Sequence, residues 1–231
     1  MERRKTIVIM CNGKSVQNID FSLFEGVDTF GLNHAYKYYF KNNWWPTYHG
    51  SYDYLNNRVK RQVFSKMTTG NNPIKRFFYI SALSNSERFT HVRLNEGGIG
   101  WNNTEESFKN FYAFGNSGTN ACSTAVCMGY NNIILVGADC TQVEKYDGVE
   151  RAGSLYKMSK TPKDNPNYWF NYYFEKGDIF NPPNKEKFHT PWWAIFAKMA
   201  AENEIRVVNC SPVTTLDCFE NANLKEELEN R

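Results

Sequence analysis

His189 is one of four histidines in the chain, and its sequence setting favours a role as a general base. It stands in the stretch KFHTPWWAIF (187–196), where Thr190 is a good N-cap and Pro191 suits the first position of a helix. The spacing predicts that His189 lies one residue outside the helix, near a positive dipole end that disfavours the imidazolium. A general base needs the neutral ring that results. A lone histidine before a helix is also common without any catalytic role, so the spacing alone leaves both interpretations open.

The other histidines have weaker settings. His34 follows the second apolar run and is a candidate to line a site, whereas His91 lies within a predicted strand and is interpreted as structural.

Polar or small residues follow the apolar runs of the sequence. In an open parallel sheet the carboxyl ends of the strands line the ligand crevice. Each residue taken singly has the composition of an ordinary turn, but their recurrence at successive run ends favours a crevice. The candidates are Asn12, Gly13 and Ser15 after the first run, Asn33 after the second, and Gly137 and Asp139 in the run at 131–139.

Two segments of the chain could bind an anion. The loop CNGKS (11–15) has neither the spacing of G-x-G-x-x-G nor that of a Walker A loop, yet it can offer backbone N–H groups and an amide to a phosphate or a ribose. The stretch GNSGTNACSTA (115–125) predicts a helix with Ser117 as N-cap, whose first turn presents free N–H groups and a positive dipole end. An ordinary capped helix has the same sequence pattern.

The sequence gives little evidence for a metal. It contains neither a DxD triplet nor HExxH, and its six cysteines form no CxxC pair. We therefore expect no metal and no cofactor, with protein groups neutralising any phosphate charge. The scattered cysteines favour a reducing, cytoplasmic location.

The arrangement of apolar runs predicts an α/β fold, a Rossmann-like and mostly parallel sheet with helices on both faces. Strands are expected from β-branched or aromatic runs, and helices from 3.6-residue periodicity. Expected strands are at 5–11, 27–33, 46–51, 75–81, 89–95, 131–139 and 204–211, and expected helices are at 34–40, 52–67, 117–130, 191–203 and 223–231.

Residues 140–186 are polar, rich in Lys, Asn, Pro and Tyr, and without sustained periodicity. They are interpreted as a lid subdomain over the site, with 1–139 and 187–231 forming the Rossmann-like domain.

Composition narrows the function further. The 27 basic and 24 acidic residues are spread through the 231-residue chain and leave a formal charge of +3, which gives no argument for nucleic-acid binding. There is no secretory signal and no apolar stretch near the roughly 18 residues that span a bilayer. Aromatic residues make up 16% of the chain, and we expect some of them to line a cleft or an oligomer interface.

The segments IVIMCNGKSVQNIDFSLF, VDTFGLNHAYKYYF, GNSGTNACSTAVCMGYNNIILVGADC and KFHTPWWAIFAKMAAENEIRVVNCSP together resemble the bacterial sialyltransferases of glycosyltransferase family 42. The resemblance covers most of the chain in the right order. It implies a single Rossmann-like domain with a lid and metal-free, inverting transfer of sialic acid from CMP-sialic acid to a galactoside. It also implies a histidine base and lid tyrosines on the leaving phosphate.

Carried over by position, the resemblance implies roles for residues already singled out. His189 falls on the base, Tyr146 is the candidate lid tyrosine, and Gly137 and Asp139 match a Gly-x-Asp that meets the nucleotide. The family's first-loop asparagine near the phosphate falls on Asn12, and its asparagine after strand two falls on Asn33. The family's Thr-Ser-Gly, which binds CMP, falls on Asn116, Ser117 and Gly118.

The chain departs from the family pattern at three places. The arginine that holds the donor sugar falls at Phe114, and a tyrosine three residues before the base is Glu186. The family asparagine after strand three is replaced near Gly50 and Ser51. Because most of these family residues recognise the sialic acid rather than the cytidine, the donor can be CMP-sialic acid or a related CMP-sugar such as CMP-Kdo.

The expected activity is therefore metal-independent, inverting glycosyl transfer to a glycan or glycolipid hydroxyl, in lipooligosaccharide or capsule biosynthesis. Homo-oligomerisation and peripheral association with the inner face of the membrane stay open. Two alternatives remain. One is an enzyme resembling archaeal pterin pyrophosphokinases, which would use Mg²⁺; the other is a non-catalytic nucleotide-binding protein.

Overall fold

The computed structural model describes residues 4–95, 101, 105–183 and 189–230. Its strands are β1 (Thr6–Met10), β2 (Asp28–Leu32), β3 (Tyr48–Ser51), β4 (Arg76–Tyr79), β5 (Phe89–His91), β6 (Leu94–Asn95), β7 (Phe111–Tyr112), β8 (Asn132–Val136), β9 (Val149–Ala152), β10 (Leu155–Met158), β11 (Ile179–Phe180), β12 (Arg206–Asn209) and β13 (Glu220–Asn221). Its α-helices are α1 (Tyr36–Asn42), α2 (Tyr54–Val59), α3 (Arg61–Thr69), α4 (Ser117–Cys127), α5 (Thr190–Glu202) and α6 (Leu224–Glu229).

An eight-stranded sheet in the order β13-β12-β8-β1-β2-β3-β4-β5 forms the centre, and every neighbouring pair in it is parallel. The Rossmann-like α/β fold predicted from the sequence is confirmed. From β1 the chain winds outward through β2 to β5, and it then returns to add β8, β12 and β13 on the other side. The direction of winding therefore reverses between β1 and β8.

The central strands are apolar on both faces because helices cover both faces. In β1, Val8 packs on one side of the sheet with side chains from α1, α3 and α6, while Ile7 and Ile9 pack on the other side with α4 and α5. Helix α4 is buried from its second residue to its end. Its residues are mostly small, so the helix can pack close to the strands.

Several predicted boundaries were wrong in detail. The helix expected at 34–40 begins at Tyr36, after a 3-10 turn at Asn33–Ala35. The helix expected at 52–67 is two helices, α2 and α3, separated at Lys60.

In the described residues, no helix is both long and apolar enough to cross a membrane.

The lid segment contains a small sheet that the sequence did not predict. Strands β9, β10 and β11 pair antiparallel in the order β11-β10-β9. Its apolar residues Tyr156, Met158 and Phe180 belong to the same core cluster as Val8 of the main sheet. The lid thus shares a core with the sheet. Residues 184–186 of its predicted range lie outside the described residues, and the division into two domains stays a prediction.

A carboxylate fixes the far end of the lid to the main domain. Asp178 accepts a hydrogen bond from the Lys37 ammonium of α1 at 2.8 Å and another from Lys60, between α2 and α3. Burial raises the pKa of Asp178, but the bonds from the two lysines outweigh it and lower the pKa to about 2. The carboxylate is therefore charged at neutral pH.

Replacement of this carboxylate tests the attachment. Asp178→Asn removes the counter-charge from the partly buried Lys60 ammonium and leaves the Lys37 ammonium with Glu175, at 2.9 Å, as its carboxylate partner. We expect it to lower the free energy of unfolding by about 2 kcal/mol, less than for a fully buried pair because both lysines retain some solvent contact. Asp147→Asn is the matched control, since Asp147 pairs with Lys160 at 2.7 Å on the exposed surface of the lid, and its loss should cost under about 1 kcal/mol. Equal costs in urea titrations would show that the Asp178 pair does not hold the lid.

Candidate functional site

A cavity of about 770 Å³ lies along the carboxyl edge of the parallel sheet. Its floor is formed by the ends of β1 and β8, where the winding direction reverses, and such a switch point is where open α/β sheets bind ligands. The first turn of α4, the start of α5, the end of β3 and several lid residues complete the wall. Of the eleven site residues predicted from the sequence, nine line this cavity: Asn12, Gly13, Asn33, Asn116, Ser117, Gly118, Gly137, Asp139 and His189.

Ser15, by contrast, does not line the cavity. Its hydroxyl donates to Asp139 Oδ1 at 2.5 Å, and its backbone N–H donates to Asp139 Oδ2 at 2.8 Å. Asp139 is buried and does face the cavity. Burial raises the pKa of Asp139, and the two Ser15 bonds oppose that rise. Ser15 therefore orients a carboxylate of the cavity floor.

The loops after β1 and β8 are in direct contact. The Gly13 N–H donates to the Gly137 carbonyl at 2.9 Å. A Cβ at Gly13 would lie 2.4 Å from Asp139 Cγ and 2.5 Å from the Gly137 oxygen, so only glycine fits. The predicted turn Asn12-Gly13 is thus a close approach between two strand ends.

Two asparagines connect the strand ends to the lid and to α4. Asn12 donates to the Leu32 carbonyl at 3.2 Å and accepts from the Trp169 indole N–H of the lid at 3.4 Å. Asn33 donates to the Ser117 hydroxyl at 3.1 Å and accepts from the Ser51 hydroxyl at 3.2 Å. These bonds place the amide groups at the cavity wall.

The N-cap of α4 is Asn116, and the prediction of Ser117 was wrong by one residue. Asn116 Oδ1 accepts from the Thr119 N–H at 2.9 Å, while its Nδ2 donates to the His189 carbonyl at 3.4 Å. Gly118 permits this approach, because a Cβ there would lie 2.5 Å from the Trp193 ring of α5. The N-terminal ends of α4 and α5 therefore meet at the cavity.

His189 lies at the cavity wall as the N-cap of α5, with Thr190 as the first helical residue. The prediction of Thr190 as N-cap was wrong by one residue; the His189 side chain makes no capping hydrogen bond. Burial lowers the pKa of His189 from its usual 6.5. The ring is therefore neutral at pH 7, the form that can accept a proton.

The tyrosines of the cavity are not the one predicted. Tyr146 is not among the lining residues and packs instead against the core cluster. Tyr168 and Tyr173 of the lid do line the cavity, and their rings stack with centroids 3.9 Å apart. Both lie in the aromatic stretch NYWFNYYF (167–174), whose composition was the available signal.

His34 does not line the cavity, contrary to the sequence-based interpretation. It is fully buried beneath Tyr173 and donates from Nδ1 to that residue's carbonyl at 3.3 Å. Burial lowers the pKa of His34 to about 3, so it is a neutral core residue that supports the lid.

The cavity also has a wall that sequence reasoning missed, formed by Asp53, Tyr54 and Asn56 after β3 and by Asn181 of the lid. Phe114, at the position of the family arginine, is buried against Tyr112 and Phe196. Glu186 lies outside the described residues. Across the described ranges, no three His, Cys, Asp or Glu side chains are grouped so as to hold a metal ion.

Comparisons with known proteins find similar folds. No model of a known protein family matches the chain, and no curated protein does. A structure of the sialyltransferase CST-II in complex with a trisaccharide acceptor and CMP is 16% identical, covering 96% of this chain and 88% of that one, with a TM-score of 0.49. The Campylobacter jejuni sialyltransferase CstII in complex with cytidine-5'-monophosphate is 15% identical, covering 96% and 87%, with a TM-score of 0.46.

The MAf glycosyltransferase from Magnetospirillum magneticum AMB-1 has a TM-score of 0.53 to this chain. It is 9% identical, and the match covers 98% of this chain but 36% of the MAf chain. The chain therefore spans about a third of that protein. At this identity the likeness concerns the fold, and it agrees with the Rossmann-like architecture.

Asn116 offers a test of the junction between α4 and α5. Asn116→Ala removes the cap of α4 and the bond to the His189 carbonyl, so we expect a loss of about 1–2 kcal/mol in the free energy of unfolding. Asn116→Asp retains a good N-cap but cannot donate to a carbonyl, so it should recover the capping part of this loss and not the part due to the bond to His189. If urea titrations show Asn116→Ala to be as stable as the parent, the side chain does not hold the junction.

Proposed function

We propose that the chain is an inverting glycosyltransferase that moves sialic acid, or a related sugar such as Kdo, from a CMP-activated donor to a hydroxyl of a glycan acceptor. The observation that carries the proposal is the position of His189, neutral and in the cavity wall, where the N-terminal ends of α4 and α5 meet at the switch point. The resemblance of the sequence to glycosyltransferase family 42 supplies the donor class. The Rossmann-like fold, also that of the MAf glycosyltransferase, suits a nucleotide-bound donor.

The cavity floor is suited to the nucleotide. Asp139, held by Ser15, can accept hydrogen bonds from ribose hydroxyls or a base amine. The first turn of α4 is suited to the phosphate, because helical N-terminal N–H groups have no partner inside the helix and carry the positive dipole end. Asn12 contributes an amide at the same edge.

The proposed reaction is a single displacement. The acceptor oxygen attacks the anomeric carbon while the bond from that carbon to the phosphate oxygen breaks. His189 takes the proton of the acceptor hydroxyl, and CMP leaves with the bonding electron pair. The α4 N-terminus stabilises the charge that grows on the phosphate, and Tyr168 and Tyr173 replace Tyr146 as the lid tyrosines at this site.

The lid would limit the competing attack by water. Its residues Phe174 and Phe180 present apolar rings to the cavity, and the Trp169 indole N–H donates a hydrogen bond to Asn12. An apolar cover of this kind excludes solvent from a reactive donor.

Nucleotide binding is the first experimental test. We expect CMP to raise the melting temperature in a thermal-shift assay, because a ligand that binds only the folded state stabilises it. UDP, GDP and ATP should have little effect. A shift with ATP and Mg²⁺ but none with CMP would favour the pyrophosphokinase-like alternative and contradict the proposal.

His189→Ala tests the base. A general base contributes roughly 100-fold to 10,000-fold in rate, so transfer or donor hydrolysis, assayed with CMP-sialic acid and CMP-Kdo, should fall by that factor while CMP affinity changes little. Because burial lowers the pKa of His189 from its usual 6.5, kcat/KM of the parent should fall on acidification with an apparent pKa below that of a free histidine, and level off at higher pH. The variant should lose this acidic limb. A fully active His189→Ala protein would exclude the assignment.

A further inference from the structure

The end of the cavity beside β3 is separate from its nucleotide end. In the sheet β2 lies between β1 and β3, so the end of β3 is about 10 Å from the end of β1 at the usual strand spacing. This end presents side chains of Asp53 and Tyr54, together with Asn181 from the lid. It is therefore available to a second part of the substrate.

The Asp53 carboxylate is held in a fixed orientation. Its Oδ1 accepts from the Asn56 N–H at 3.0 Å, and its Oδ2 accepts from the Asn181 amide at 3.2 Å. A carboxylate has about four acceptor positions, so one lone pair on each oxygen remains for a ligand. Two adjacent hydroxyls of a sugar ring are spaced to donate to such a pair of oxygens.

The Asp53 charge acts on the cavity itself. Burial raises the pKa of Tyr168 and of Tyr173, and the negative charge of Asp53 raises both further. Among the described residues that line the cavity there is no lysine and no arginine, and the charged side chains are Asp53 and Asp139. An anionic group would meet repulsion at the β3 end.

Tyr54 supplies the apolar half of a sugar site. Its side chain is 62% exposed, although it lies at the cavity wall next to Asp53. An exposed aromatic ring can pack against the C–H face of a pyranose while neighbouring polar groups bind its hydroxyls. The ring and the carboxylate thus match the two surfaces of one sugar.

We infer that Asp53, Tyr54 and Asn181 form the subsite for an uncharged pyranose of the acceptor. The inference rests on the proposed function, since both donor sugars considered carry a carboxylate that Asp53 repels. The donor sugar therefore occupies the part of the cavity nearer His189, and Asp53 selects against acceptors that end in an acidic sugar.

The test uses the full chain and two separate binding measurements. The sugar probes are methyl β-lactoside and N-acetylneuraminic acid. Their binding is measured by saturation-transfer NMR with and without saturating CMP. The binding of CMP itself is measured by calorimetric titration. Asp53→Asn retains a favourable N-cap residue for α2 but removes the charge. Tyr54→Ala removes the ring. Asp20→Asn is the matched control, because Asp20 caps the 3-10 helix at Phe21–Phe24 through Ser22 N–H at 2.9 Å and does not line the cavity.

We expect lactoside binding to weaken about tenfold in Asp53→Asn, as for loss of charge-assisted hydrogen bonds. A similar loss is expected in Tyr54→Ala, and no change in Asp20→Asn. The parent should prefer lactoside to N-acetylneuraminic acid, and Asp53→Asn should narrow that preference. Unchanged lactoside binding in both cavity variants, or no lactoside binding by the parent, would overturn the inference. If CMP fails to bind while lactoside binding still depends on Asp53, the subsite stands and the CMP-donor proposal fails.

Discussion

The contact between the ends of β1 and β8 is the constraint on which the site depends. Gly13 donates its N–H to the Gly137 carbonyl, and no side chain fits between that glycine and Asp139. Because the chain winds in opposite directions from these two strands, the contact also closes the floor of the crevice between them. The Ser15 bonds to Asp139 then fix the only carboxylate in this part of the described floor.

The second element of the site is the meeting of two helix ends above that floor. Asn116 begins α4 and also donates to the backbone of His189, which begins α5. Both positive dipole ends therefore point toward one region of the cavity, and in the proposed reaction they stabilise the anionic leaving group there. The same region keeps the His189 ring neutral through burial. The proposed phosphate site and the proposed base therefore lie within a few residues of each other.

The strands and most of the site were predictable because they depend on local patterns. The β-branched run Thr6–Met10 is typical of a strand that is buried on both faces of a sheet, and small polar residues follow each such run. The N-cap of α4 was missed because Asn116 and Ser117 are both good caps, and only the backbone angles decide between them. The lid was less predictable still. Its short strands have little pattern, and tertiary packing decides that Tyr168 rather than Tyr146 faces the cavity.

A crystal structure with CMP bound tests the central claim most directly. We expect the phosphate to accept hydrogen bonds, at about 3 Å, from backbone N–H groups in the first turn of α4, with the nucleoside beside Asp139 and the His189 ring facing the sugar side of the phosphate. A phosphate bound away from the α4 N-terminus, or a nucleoside outside the β1–β8 crevice, would contradict it.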